Sequence, residues 1–240
     1  MIRLSRTALA AAALLALGAG TGAAQSIPSP IRYIEQKQGL QPFAGYVFSD
    51  PSLALSDSVS VDIGIRPAPI FGLGYQLRLS GPLSLQASVG YIAGQRDVFL
   101  AEASADSGTI TPIATNRRVN AGVLLADAGF LFHLTGPRAY RGFAPFVGIK
   151  GGLARQITGS DPQGAAVPEP ERFHFGPSFA VAVNGGTDVF VARRLSLRAE
   201  LNGRLWRLSA PAGFRTRNQT DKVADWKNAS SAQIGAVLHF

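Results

Sequence analysis

Seven charged side chains lie in segments that are otherwise apolar or small, and they are the residues best placed to do chemistry. They are Arg78, Asp127, Lys150, Asp188, Arg198, Glu200 and Arg204. Asp188 and Arg198 flank one predicted chain reversal at compatible heights. Because buried charges need partners, the spacing predicts an ion-pair network inside the fold.

The other members of this network are expected to pair in the same way. Asp127 and Lys150 flank a second predicted reversal, which favours a pair between them. Glu200 has Arg198 and Arg204 on the same face of an extended strand, because alternate residues share a face. We therefore expect Glu200 to belong to the same lumen ion-pair network as these two arginines.

The histidines are His133, His174 and His239, and they lie on different predicted strands without metal-ligand spacing. The sequence therefore predicts no metal site and no cofactor. Catalysis would need a nucleophile, a base and an orienting group near one rim. The His-Phe-Gly-Pro-Ser stretch at residues 174–178 is too loose to meet that requirement, so we predict no catalytic residues and no enzyme.

Bulk composition excludes little by itself. The chain has 240 residues, a net charge of +8 and no cysteine, so disulfides cannot hold the fold. A basic balance is compatible with nucleic acid, a membrane surface or an anionic ligand. The N-terminal residues, which are typical of an export signal, argue against nucleic acid.

The first residues are typical of a secretory signal peptide. Residues 1–6 carry two arginines, residues 7–17 form an apolar run, and residues 18–24 are small and end in Ala23-Ala24. We predict a signal peptide over residues 1–24 with cleavage after Ala24. A transmembrane anchor is the alternative, but the apolar run is shorter than the roughly 20 residues that a spanning helix needs. A polar, proline-bearing periplasmic tail is expected over 25–39 and one domain over 40–240.

The hydrophobic pattern of that domain has a period of two. Apolar Leu83, Leu85, Ala87, Val89 and Tyr91 alternate with Ser84, Gln86, Ser88 and Gly90. This period indicates a strand with one apolar and one small, polar face. Comparable alternation before the Ser80-Gly81-Pro82 turn, and at four further segments, predicts three hairpins. A first strand at 41–48 and a last one at 229–240 make a set of eight.

The predicted links alternate strictly in length. Short ones lie at 80–82, 135–142 and 192–194, and long ones at roughly 49–66, 95–118, 156–176 and 209–228. This asymmetry is typical of outer-membrane barrels, with short periplasmic turns and long outer loops. Residues 59–65 also alternate, and we interpret them as an extension of the second strand beyond a break at Pro67 and Pro69. A separate hairpin within the loop is the alternative.

The alternation does not decide which face of the strands points into the barrel and which points outward, because a soluble lipocalin-like carrier also has eight strands. Three features favour a membrane. One face carries almost no charge across the strand centres, the polar face is rich in small residues that suit a narrow interior, and the aromatics Tyr46, Phe48, Tyr91 and Phe132 lie near strand ends.

The last segment resembles the C-terminal signature of outer-membrane barrels, with Ile234, Ala236, Leu238 and Phe240 at alternate positions. That resemblance implies recognition by the barrel-assembly machinery, with periplasmic chaperones during biogenesis. The eight-strand pattern resembles the OmpA/OmpX-type small barrels. Together they imply an all-β, eight-stranded, antiparallel up-and-down transmembrane β-barrel in the outer membrane of a Gram-negative bacterium.

For function, the sequence favours a non-enzymatic barrel with a structural or surface-interaction role. Its lumen charges would fill and rigidify a plug, since an eight-strand interior is only just wide enough for side chains. The first alternative is a gated narrow pore for ions or small solutes. A lipid-modifying enzyme and the lipocalin-like carrier are the remaining ones.

The last long loop suggests a lipid partner. Arg215, Arg217 and Lys222 are its most prominent basic residues, in a loop that also holds Phe214 and Trp226. We hypothesise that they contact the anionic headgroups of outer-membrane lipid and lipopolysaccharide. A solvated loop with incidental charge is the alternative.

Overall fold

The computed structural model describes residues 30–56, 59–61, 64–103, 110–157, 177–209 and 224–240. The leader predicted at 1–24 therefore lies outside the described residues, as do His174 and the loop residues Arg215, Arg217 and Lys222. The cleavage site and the predicted domain bounds stay predictions. No helix within the described ranges is long and apolar enough to cross a membrane.

Twelve strands are found in the described residues. They are β1 (Ile31–Tyr33), β2 (Gln38–Ser49), β3 (Leu53–Ser56), β4 (Val59–Val61), β5 (Ala68–Ser80), β6 (Leu83–Ala103), β7 (Ile110–His133), β8 (Arg138–Tyr140), β9 (Phe143–Gln156), β10 (Ser178–Phe190), β11 (Leu195–Ser209) and β12 (Ala224–His239).

Eight of these strands close into a barrel, which confirms the predicted fold class. Strands β2, β5, β6, β7, β9, β10, β11 and β12 pair antiparallel in chain order, and β12 returns to pair with β2. Barrel strands that follow one another along the chain are therefore also adjacent in the sheet. We call the end with the turns at 81–82, 134–142 and 191–194 the periplasmic end, and the opposite end the outer end.

The hairpin turn predicted at residues 80–82 is confirmed. Gly81 has φ of 41°, a left-handed conformation that side chains other than glycine rarely adopt. It reverses the chain between β5 and β6, whose register places Leu77 opposite Leu85 and Gly72 opposite Gly90.

Strands β6 and β7 are longer than predicted. Most of the segment predicted as a long link at 95–118 is strand, since β6 runs to Ala103 and β7 begins at Ile110. Buried Val98 and Val119 pack against each other in this extension, and Asp97 lies opposite Arg118. Cross-strand contacts of this kind extend the hairpin beyond the barrel wall.

Two short strand pairs add to the barrel. Strands β3 and β4 form a two-stranded hairpin, so the extension of the second strand over residues 59–65 was wrong and the loop-hairpin alternative is right. Pro67 immediately precedes β5, whereas Pro69 lies within β5 opposite Tyr46 of β2, so the predicted break falls only at Pro67. Strand β1, in the segment predicted as a tail, pairs with β8 at the periplasmic end.

The apolar side of the alternation faces outward. Leu201 and Ile234 are 68% and 71% exposed, whereas Arg198 and Glu200 on the opposite face are buried. Tyr46 and Phe48 lie together near the outer end with ring centroids 5.2 Å apart, as expected for an interfacial girdle. This placement contradicts the lipocalin-like carrier, in which the apolar face would point inward.

We expect Leu201→Arg to destabilise the barrel in lipid by about 2–4 kcal/mol, because the charge would sit on the lipid face near mid-depth. Urea unfolding in phosphatidylcholine vesicles measures the loss. Leu205→Ala, two outward positions further along β11, keeps that face uncharged and serves as the control. A loss for Leu201→Arg no larger than that of the control would argue against a lipid-facing wall.

Candidate functional site

Strand β11 supplies most of the polar lumen. Its inward positions carry Ser196, Arg198, Glu200, Asn202 and Arg204 in succession from the periplasmic end, and all five are buried. Every second residue of a strand points to the same side, so one strand presents a column of polar groups to the lumen. The functional candidates are therefore stacked along the barrel axis.

Arg198 is the centre of the lower part of this column. Its Nε and Nη2 atoms each donate to the Asp188 carboxylate at 2.7 Å, a two-bond contact between directly opposed residues. Nη1 also donates to Gln41 at 3.2 Å and Nη2 to Gln76 at 2.7 Å, which ties β11 to β2 and β5. The guanidinium lies 4.6 Å from the centre of the Phe146 ring. The structure thus brings together the predicted Asp188–Arg198 pair.

The other two ion pairs differ from the predicted ones. Lys150 donates to Glu200 at 2.6 Å, and Arg204 binds Asp127 through two bonds of 2.8 and 2.7 Å. The predicted Asp127–Lys150 pair is therefore wrong, and Glu200 takes its place in the network through Lys150.

These two ion pairs differ from the predicted ones because side chains can reach across the lumen to strands that are not adjacent. Lys150 lies opposite Gly129 on β7 and opposite Ala182 on β10, so its amine extends past β10 to β11 instead of reaching the adjacent strand. Asn184 of β10 adds a bond of 3.2 Å to Glu200. Side chains in a closed barrel contact partners across the interior, which hairpin spacing does not encode.

Arg78 lies apart from the three ion pairs. It donates to the carbonyl oxygen of Ile34 at 2.7 Å, and its own backbone N–H donates to Lys37 at 2.6 Å. Arg78 thus anchors the segment before β2 at the periplasmic end. Among the described residues the guanidinium binds a backbone carbonyl oxygen and forms no direct ion pair with a carboxylate.

Two of the histidines contribute buried contacts that sequence reasoning missed. Nε2 of His133 lies 3.0 Å from the Gln76 amide nitrogen, and Nε2 of His239 lies 2.8 Å from the Ser196 hydroxyl. His239 also stacks on Phe190 with ring centroids 5.0 Å apart. Both histidines lie at inward positions of their strands, and this alternation is the sequence signal that could have identified them as lumen residues. No group of three or more metal-ligand residues is found among the residues that the structure describes.

The outer half of the lumen contains a large apolar cluster. A buried cluster there is centred on Trp206, Ile70, Ile92, Val123 and Leu125. We call this cluster the apolar cap. The sequence signal was the adjacent apolar pairs, such as Tyr91-Ile92 and Leu124-Leu125, which break the alternation and make both faces of the strand apolar.

Space between the cap and the ion pairs is small. A cavity of about 10 Å³ is bordered by Phe43, Ile70, Leu125, Asp127 and Lys150, among others, and has room for about one water molecule. Several lumen glycines have no room for a side chain. A Cβ at Gly148 would lie 2.6 Å from Leu131 and 2.7 Å from Asn184. The lumen is thus filled by protein.

The residues of the predicted C-terminal signal lie on β12 and immediately after it. Leu238 pairs with Leu40 of β2 and with Leu195 of β11. Phe240 exchanges two backbone hydrogen bonds with Gln38, at 3.0 and 3.1 Å. Ile234, Leu238 and Phe240 are exposed on the outer wall, with Ala236 between them. These contacts close the barrel seam; recognition by the assembly machinery stays a prediction.

A closed eight-stranded barrel with an apolar wall and a filled lumen defines the class of small transmembrane β-barrels. Comparison with known proteins agrees with this fold. The crystal structure of Neisserial surface protein A matches with a TM-score of 0.50 at 12% sequence identity, covering 85% of this chain and 97% of that one.

Two proteins of Pseudomonas aeruginosa are also similar in structure. Outer membrane protein OprG matches with a TM-score of 0.49 at 11% identity, covering 85% and 97% of the two chains. The N-terminal β-barrel domain of OprF matches with a TM-score of 0.42 at 15% identity, covering 85% and 98%. No protein-family model and no curated protein sequence matches. The eight-stranded topology and the match to Neisserial surface protein A show that the chain has the fold of the OmpA/OmpX-type small outer-membrane barrels.

Proposed function

We propose that this protein is a non-enzymatic outer-membrane barrel with a structural or surface-interaction role, and that its lumen does not conduct. The observation that carries the proposal is a double closure of the lumen. Three buried ion pairs fill its middle, and the apolar cap fills its outer half. Hydrophobic constrictions exclude water and ions even where side chains leave narrow gaps.

Localisation in the outer membrane follows from the predicted leader and from the class of the fold. Biogenesis through periplasmic chaperones and the barrel-assembly machinery belongs to the same proposal. So does the contact of Arg215, Arg217 and Lys222 with lipopolysaccharide, which rests on the sequence.

Among the described residues, one serine–histidine contact in the lumen, between Ser196 and His239, could activate a nucleophile. The environment of this contact supports the absence of catalysis. Ser196 is fully buried, and Phe190 covers the His239 ring. A nucleophile needs access to substrate as well as a base. The Ser196–His239 contact instead links β11 to β12 next to the barrel seam.

The proposal predicts that Glu200→Ala leaves single-channel conductance in planar bilayers at the baseline of the wild type. The substitution unpairs Lys150 but leaves the apolar cap in place above it. Heat-modifiable migration on SDS gels verifies folding of each sample, and Glu200→Gln serves as the size-matched control. A sharp rise in conductance for Glu200→Ala would instead support the alternative, a narrow pore gated by the lumen charges.

A further inference from the structure

A second charged cluster lies on the outside of the barrel, at its outer end. Asp97 accepts from Arg66 Nη1 at 3.2 Å and from Arg118 Nε at 3.3 Å, with both arginines on the same oxygen, Oδ1. We call these three residues the outer arginine cluster. The two arginine side chains are 39% and 61% exposed, whereas the lumen pairs are buried. Two guanidinium groups on one carboxylate give these three residues a net charge of +1.

A concave pocket of about 520 Å³ adjoins the cluster on the outer wall. Of the described residues that line it, Arg66 and Arg118 are basic, Gln95 is polar, none is acidic, and the others are apolar or aromatic, including Tyr46 and Pro69. The pocket therefore combines two cationic side chains with apolar ones. Such a surface suits a ligand with an anionic head and an apolar body.

The segment that carries Arg66 is held firmly against the barrel. The Arg66 N–H donates to Gln95 at 2.9 Å, the Ser49 hydroxyl donates to Ile65 at 2.6 Å, and the Tyr46 hydroxyl donates to Pro67 at 3.2 Å. On the other side, a register shift between β6 and β7 follows Asp97 and Arg118. Bulges of this kind commonly re-aim side chains next to binding sites. The pocket is therefore preorganised.

The height of the cluster matches a lipid headgroup layer. Outward positions of β6 are apolar from Leu85 to Ala93 and become polar at Gln95 and Asp97. With a rise of about 3.4 Å per residue and a strand tilt of about 40°, Asp97 lies about 30 Å above Leu85 along the barrel axis. The apolar band of such barrels is about 25 Å tall, so Asp97 lies just beyond it. Exposed Tyr46 and Tyr91 mark its upper edge.

We infer that the outer arginine cluster binds the phosphate group of a phosphorylated outer-leaflet lipid, whose acyl chains lie on the apolar wall below. The inference rests on the proposed outer-membrane placement. Arginine pairs favour phosphate because their planar donors match its oxygens. An exposed ion triplet stabilises a fold by little, so stability alone gives no account of two arginines converging on one carboxylate.

The test is equilibrium binding of diphosphoryl lipid A to the full chain in detergent micelles, followed by native mass spectrometry. We expect Arg66→Gln plus Arg118→Gln to lower the affinity by about 25-fold, about fivefold for each arginine near a lipid surface. Arg117→Gln removes a charge of the same sign one residue away, on a side chain that does not line the pocket, and is expected to have a much smaller effect. Dephosphorylated lipid A is expected to bind all variants alike.

Asp97→Asn provides a second variant with the opposite expected sign. It removes the carboxylate that competes for the two guanidinium groups, so lipid A affinity should rise. Equal affinities of the double variant and Arg117→Gln, or a fall for Asp97→Asn as large as that of the double variant, would overturn the inference. So would displacement of lipid A by millimolar inorganic phosphate, which would identify a site for soluble anions. Conductance tests the proposed function separately, and gel migration verifies folding of each variant.

Discussion

Asp188→Ala is expected to destabilise the folded barrel by about 3–5 kcal/mol, the usual cost of leaving a buried charge unpaired. Arg198 is completely buried, and the Asp188 carboxylate takes two of its hydrogen bonds. Gln41 and Gln76 also accept from Arg198, but neither carries the charge that balances it. The measurement is the free energy of unfolding by urea in lipid vesicles, with folded and unfolded populations separated by their migration on SDS gels.

The matched control is Asp97→Ala, which removes an aspartate that also pairs with arginine. Its partners are largely exposed to solvent, so the expected loss is about 1 kcal/mol or less. A double variant, Asp188→Ala with Arg198→Met, removes both buried charges and is expected to recover much of the loss. Equal losses for the two single aspartate variants would contradict the central position given to Arg198.

Trp206→Ala is expected to cost a similar amount, about 3–5 kcal/mol, because it leaves a cavity in the apolar cap. The Trp206 side chain is 1% exposed and packs in the cluster with Ile70, Ile92 and Leu125. The same unfolding measurement applies, with folded and unfolded populations separated by their migration on SDS gels. Trp226→Ala is the control, and its loss should be smaller because that side chain is 51% exposed on the outer wall. Equal losses would contradict a packed cap.

The two closures of the lumen act in series, so the Trp206→Ala variant also bears on conduction. We expect it to remain non-conducting because the three ion pairs below the cap are intact. Combined with Glu200→Ala, it weakens both closures, and conductance should then rise above the wild-type baseline. If Trp206→Ala alone conducted ions, the apolar cap would be the only closure of the lumen that prevents conduction.

Strand positions were predictable because they depend on a local property. A period of two in side-chain polarity marks each barrel strand, and the turn at Gly81 has the chemistry that a tight reversal needs. The pair between Asp188 and Arg198 was predictable for the same reason, since the two residues are opposed across one hairpin. Interactions within a hairpin follow from counting residues.

Other contacts depend on closure. Lys150 of β9 meets Glu200 of β11, and Arg204 of β11 meets Asp127 of β7, because side chains of non-adjacent strands converge inside the cylinder. Arg78 binds the carbonyl oxygen of Ile34 because the chain before β2 passes beside it. The outer arginine cluster likewise joins a loop residue, Arg66, to a strand pair.

The sequence by itself determined the strand order, the hairpin turns and the division into an apolar and a polar face, since each follows from neighbours along the chain. Only the tertiary structure decided which charges pair, where the lumen becomes apolar and where two arginines meet on the outer wall. The physical reason is that closing the sheet brings together side chains whose spacing along the chain carries no information about their separation across a barrel.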